Sequence, residues 1–142
     1  MELFDGGGAE FPARITAIGR SSVALAVLAR HEVNRELKTE ITLAVALPKG
    51  DRQRWLVEKA VELGVACLVP LITERGVAEP NEAALGRLRR YVIEAAKQCG
   101  RNRLLQIATP QPFPEFGRQA SRAALRLLAH PGPDAVPIAE LA

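Results

Sequence analysis

The chain opens on an alternation of apolar and polar positions. Phe11, Ala13, Ile15 and Ala17 alternate with Pro12, Arg14 and Thr16, which is the period of a strand. Gly6-Gly7-Gly8 before it and Gly19-Arg20-Ser21 after it are turn signals. Ser22 to Leu28 reads as a second strand, with Val23, Leu25 and Val27 on one face. Two strands joined by a short glycine turn predict a hairpin. A lone hairpin is marginal in water, so this pair is expected to belong to a larger sheet or barrel, present here only in part. Arg30 to Glu40 is polar and aperiodic and reads as a linker, with a boundary near Lys38.

Beyond that boundary the pattern changes. Ile41 to Leu47 is a continuous apolar run, as expected of a strand buried on both faces. Pro48-Lys49-Gly50 breaks it, and Asp51 is placed to cap a helix running to Leu63. Leu56, Ala60 and Leu63 form its apolar stripe, with Val57 and Val61 beside it. Gly64 ends that helix, and Val65 to Leu71 is a second buried strand. Pro80-Asn81-Glu82 opens a long helix that stops at Gly100. Leu85, Leu88, Val92, Ala96 and Cys99 share one stripe of it. Leu104 to Ala108 and Ala123 to Ala129 are expected as two more strands, the last closed by His130-Pro131-Gly132-Pro133. Strands alternating with helices predict parallel βαβ units in an open α/β sheet. The chain begins inside a strand pattern and ends at Pro137 to Ala142 on what reads as the first turn of a helix. Both ends are therefore expected to be cuts.

Composition narrows the function. At 142 residues, 48% hydrophobic and 25% charged, the chain can fold around a core without disulfides. Cys67 and Cys99 have no partner spacing for zinc or a disulfide framework, which suits a reducing cytoplasm. No apolar run approaches a membrane span, and the opening Met1-Glu2-Leu3-Phe4-Asp5 is no signal peptide. No metal-ligand cluster, Ser-His-Asp set or dinucleotide glycine motif emerges. The net charge is only +3. Between Arg87 and Arg103, however, six bases face one acid, Glu94. For that cluster a polyanion partner is the better reading, although any single residue of it reads as a solvated face, with Arg90 and Glu94 as an ion pair. With four Phe, one Trp and one Tyr, a sheet that stacks bases on aromatic platforms is not expected.

Ligands of open α/β sheets bind beyond the carboxyl ends of the strands. That edge is expected to carry Lys49, Asp51 and Arg52 after the first strand, Glu74 and Arg75 after the second, and His130 after the last. Lys49-Gly50-Asp51 precedes a helix N-terminus, where anions are favoured. The same residues also make a plain tight turn with an N-cap, and the two readings stand level. Cys99 reads as a buried small hydrophobe.

Four motifs in order then resemble the RsmE family: Leu47-Pro-Lys-Gly-Asp-Arg52, Val57-Glu-Lys-Ala-Val-Glu-Leu-Gly64, Pro70 with Thr73-Glu-Arg75, and Ile93-Glu-Ala-Ala-Lys-Gln-Cys-Gly-Arg-Asn-Arg103. Leu3-Phe-Asp-Gly-Gly7 and the hairpin look like the second half of that family's N-terminal barrel. The family methylates N3 of a uridine in 16S ribosomal RNA with S-adenosylmethionine. The resemblance implies an α/β fold in two parts. Residues 1–38 would be a partial PUA-like β-barrel that helps grip RNA. Residues 39–142 would be the first part of a SPOUT methyltransferase domain. Such proteins usually dimerise, use no metal and act in the cytoplasm. Carried over, Lys49, Arg52, Glu74, Arg75, Glu94, Gln98, Gly100 and Arg101 would line the RNA-facing cleft. Arg52 and Arg101 would hold phosphates or developing charge. His130 and Pro131 would edge the cofactor pocket. The family's Ile-Gly-Pro-Glu-Gly-Gly and Leu-Arg-x-Glu-Thr-Ala segments, which form its knot and most of the cofactor site, do not occur. The expectation is an incomplete enzyme, inactive alone and marginally stable. The alternatives are a non-enzymatic RNA-binding remnant and, more weakly, a small-molecule enzyme with Lys49 as a phosphate hook.

Overall fold

The computed structural model describes residues 1–141 apart from Glu79 and Asp134. Ala142, the end of the expected helical turn, lies outside the described residues, and Ile138–Leu141 before it forms a 3-10 turn. The fold is mixed α/β, with two sheets.

The first sheet is antiparallel and built around one long strand. β1 (Glu2–Phe4) pairs with β2 (Ala9–Ile18) in the register Leu3 to Phe11. The far half of β2 pairs with β3 (Val23–Val27), Ala13 opposite Val27, with a bulge between Ile15 and Ala17. The expected hairpin is thus present, and β2 is longer than the alternation suggested. Ile15, Ile18, Val23 and Val27 are exposed on it.

The expected linker is a strap with structure of its own. β4 (His31–Glu32) pairs with β2, Glu10 opposite His31. Its polarity misled because its polar side chains are used in contacts between the two sheets.

The second sheet is parallel. β5 (Thr42–Val45) pairs with β6 (Cys67–Ile72), which pairs on its other side with β7 (Gln106–Ile107) and β8 (Gln111–Pro112). α1 (Arg52–Glu62) and α2 (Glu82–Cys99) are the crossovers. Successive strands advance in one direction, so right-handed crossovers put both helices on one face. The core lies between them and the sheet, at Leu47, Val57, Val61, Leu68, Leu88 and Val92.

The amphipathic period explains α2. Asn81 accepts the Ala84 N–H at 3.0 Å as N-cap, and Gly100, at φ +72°, closes the helix in the left-handed region that favours glycine. Leu85, Leu88, Val92 and Ala96 are buried as the spacing predicts. Cys99 is exposed, contrary to expectation, because the last turn runs past the end of the core. On α1 the stripe is rotated: Val57, Ala60 and Val61 are buried, whereas Leu63 is 70% exposed. Asp51 makes no side-chain cap.

One further strand expectation holds in part and one fails. Leu104 to Ala108 is not one strand; pairing starts at Gln106, breaks after Ile107 and resumes at Gln111. Pro110 lies in the break and has no N–H to donate. Ala123 to Ala129 forms no strand, and Leu125, Leu127 and Leu128 are exposed. An apolar pattern becomes a strand only with an edge to pair on, and this segment pairs with no other among the described residues. The run Ile41 to Leu47 also contributes only Thr42–Val45 to the sheet, exposed or half-buried.

Candidate nucleic-acid interface

The parallel strands point their carboxyl ends to one edge, and four of the expected site residues reach it. Lys49 and Arg52 lie in the loop after β5 and the first residue of α1. Glu74 and Arg75 lie in the turn after β6. All four are exposed. Gly50, at φ +63°, makes the turn between Lys49 and α1. Beneath the second loop is a cavity of about 260 Å³ lined by Ile72, Thr73, Gly76, Pro80 and Asn81.

α2 runs antiparallel to the strands and carries positive charge away from that edge. Arg87, Arg89 and Arg90 are exposed in its first half. Glu94 is exposed too, and its partner is Arg54 of α1, at 3.7 Å, rather than Arg90. Arg54 also donates to Glu58 at 2.7 Å and lies 5.8 Å from the centre of the Tyr91 ring. This cluster ties the outer faces of the two helices at the level of the first turn of α1. The guanidinium of Arg54 is raised above its ordinary value, first by the Glu58 hydrogen bond. Arg87 and Arg90 continue the same face toward the start of α2 at helical spacing.

Gln98, Gly100 and Arg101 are not brought to this edge. α2 has 18 residues, about 27 Å of helix, and they stand at its far end beside the start of β7. Gln98 is exposed there. Gly100 is the helix stop. Arg101 is turned inward and only 7% exposed. Its Nη1 donates to the Val65 carbonyl at 2.9 Å and the Val61 carbonyl at 3.3 Å, and its Nε donates to Glu36 Oε1 at 2.9 Å. With Nη2 also on Glu36 Oε2, four of the five guanidinium N–H groups are committed and the side chain is buried, so Arg101 leaves the cleft. The reading of the sequence missed Glu36, because its partner lies 65 positions away.

His130 and Pro131 are exposed in the irregular stretch after the 3-10 turn Ala120–Arg122. The cavity beneath the loop after β6 has another lining. Among the described residues no group of three or more His, Cys, Asp or Glu is placed to hold a metal ion. Nor is any helix of the described residues long and apolar enough to cross a membrane.

Residues 35–142 match the RNA methyltransferase domain family. The chain belongs to that family. Its relatives are RsmE proteins: it is 35% identical over 114 residues to the ribosomal RNA small subunit methyltransferase E of Synechocystis, covering 80% of this chain and 37% of the relative. To the Bacillus subtilis protein of the same name it is 27% identical over 113 residues, covering 77% and 44%. A methyltransferase from Legionella pneumophila, solved with SAM bound, superposes with a TM-score of 0.85 at 35% identity, over 92% of this chain and 55% of that one. The Neisseria gonorrhoeae ribosomal RNA small subunit methyltransferase E, solved with S-adenosyl methionine, gives 0.75 at 30% identity, over 82% and 50%. The chain thus spans about half the length, or less, of the relatives it matches. The family likeness agrees with the motifs at Lys49 to Arg52 and Glu94 to Arg103, and with the fold.

Proposed function

We propose that this chain supplies the RNA-gripping part of an S-adenosylmethionine-dependent enzyme that methylates N3 of a uridine in 16S ribosomal RNA. The observation that carries this is the family match over residues 35–142, joined to an exposed basic edge at Lys49, Arg52 and Arg75. In this reading residues 1–38 belong to a PUA-like barrel and residues 39–142 to a SPOUT methyltransferase domain, whose knot is formed by the family's glycine-rich segments. The working enzyme is a homodimer in the cytoplasm.

Lys49, Arg52 and Arg75 take backbone phosphates. Uridine N3 must lose a proton before it can attack a methyl group, and cations beside the base favour the anionic form. Arg52, at the start of α1, is the candidate for that role. Glu74 lies in the same cleft and orients a donor edge of the RNA. Glu94 flanks it along α2, and Gln98, at the far end of that helix, stands outside it.

His130 and Pro131 line none of the cavities of about 260, 630 and 660 Å³ among the described residues. Both are exposed in an irregular stretch, and the cavity at the carboxyl edge, about 260 Å³, has few polar walls. We therefore assign no step of methyl transfer to these residues. By itself the 142-residue chain is expected to give no heat of tight binding when titrated with S-adenosylmethionine. Disrupting its gene in the host is expected to remove 3-methyluridine from 16S ribosomal RNA, read by nucleoside mass spectrometry. An unchanged 3-methyluridine content would refute the assignment.

A further inference from the structure

The antiparallel sheet and the strap meet the far end of α2 through Arg101, Asn102 and Leu104. Arg101 reaches under the end of α1, where a cation is favoured by the last carbonyls. Two of its nitrogens engage both oxygens of Glu36, from the strap. Asn102, 2% exposed, donates through Nδ2 to Glu10 Oε1 at 2.9 Å, to the Val33 carbonyl at 2.9 Å and to the Gly8 carbonyl at 3.2 Å. Glu10 of β2 is itself paired with Arg35 of the strap. The Leu104 N–H donates to the Gly6 carbonyl at 3.0 Å.

Glycine makes this approach possible. A Cβ at Gly6 would stand 2.8 Å from Leu104 Cδ1, and one at Gly8 3.0 Å from Arg103 Nε. Their φ angles of +81° and +112° disfavour other residues as well. The Gly6-Gly7-Gly8 run is a docking surface as well as a turn.

Arg101 and Glu36, and Asn102 and its three partners, lie 65 to 94 positions apart in sequence, so each of these bonds joins the antiparallel sheet or the strap to the α/β part. A bidentate carboxylate–guanidinium pair fixes angle as well as distance. Each side also has cations of its own: Arg14 and Arg20 are exposed on the hairpin, and Arg87 and Arg90 on α2.

We infer that Glu10, Glu36, Arg101 and Asn102 are positioning residues that hold the antiparallel sheet at one fixed orientation to the α/β part, so that one RNA molecule is gripped by both. This rests on the RNA-binding reading above. A rigid joint turns the second contact into an intramolecular one and raises affinity without any new contact. A loose joint forfeits that gain.

Glu36→Gln separates positioning from direct contact by sign. It makes the chain more positive and releases Arg101. If Arg101 contacts phosphate, binding of a 16S ribosomal RNA fragment tightens. If the joint matters, binding weakens, by roughly tenfold, while the slope of log Kd against log salt stays at the parent value. Asn102→Ala changes no charge and leaves both ion pairs in place. It serves if Glu36→Gln does not fold, and is expected to weaken binding with the same unchanged slope. Residual dipolar couplings provide the second readout. Both parts fit one alignment tensor in the parent, and need two in either folded variant. Equal or tighter RNA binding with a single tensor overturns the proposal. If the parent binds no RNA, the RNA reading fails by itself and the couplings alone decide: two tensors in the variants support the joint, one overturns it.

Discussion

Arg101→Ala should lower the stability of the chain by about 3 to 5 kcal/mol, the usual cost of removing one partner of a buried ion pair. Three losses add up at this position. Glu36 keeps its charge and loses its partner, and the carbonyls of Val61 and Val65 lose a donor. Small domains hold only about 5 to 15 kcal/mol in total, so the variant should have little margin left in urea. Arg87→Ala, an exposed arginine on the same helix, should stay within about 0.5 kcal/mol of the parent. Equal midpoints for the two variants would contradict the buried placement of Arg101.

The same pairs set an acid limit. Arg101 holds the Glu36 carboxyl below the ordinary range, with Arg103 adding to it, and Arg35 does the same for Glu10, helped by Asn102 and His31. Carboxylates whose folded pKa is depressed stabilise fully above the unfolded value, about pH 4. That contribution is lost as pH falls through the lower folded values.

The second large effect is on RNA. Changing Lys49, Arg52, Arg75 and Arg90 to glutamine together should weaken binding to a 16S ribosomal RNA fragment by roughly 100-fold at moderate salt. All four are exposed, so the melting midpoint should barely move. Asp51 and Glu74 stand among them, so the edge is of mixed charge rather than a uniform basic patch. Weaker binding with a collapsed melt would instead mean that the four residues support the fold.

How far the sequence reached depends on the range of each signal. The period of 3.6 placed Leu85, Leu88 and Val92 in the core, because burial along a helix repeats locally. Gly100 marked its end for the same reason. Alternation found the hairpin. The strap at 30–40 looked like a linker because its meaning lies in partners far away in sequence: Arg35 serves Glu10, and Glu36 serves Arg101. Ala123 to Ala129 has the right pattern for a strand, but pattern cannot supply a neighbouring edge. Lys49, Arg52, Glu74 and Arg75 were legible as an edge because the carboxyl ends of parallel strands gather their loops. Arg101 was misread because a cation in a basic run looks exposed until the turn at Gly100 folds it inward.

The basic edge and the outer face of α2 are proposed to grip RNA through its phosphates. The most direct test of this grip is the affinity of the unmodified chain for a 16S ribosomal RNA fragment across a salt series. Four phosphate contacts to a single strand give a slope of log K against log salt of about −3. A slope near zero, or no binding at low salt, would contradict it.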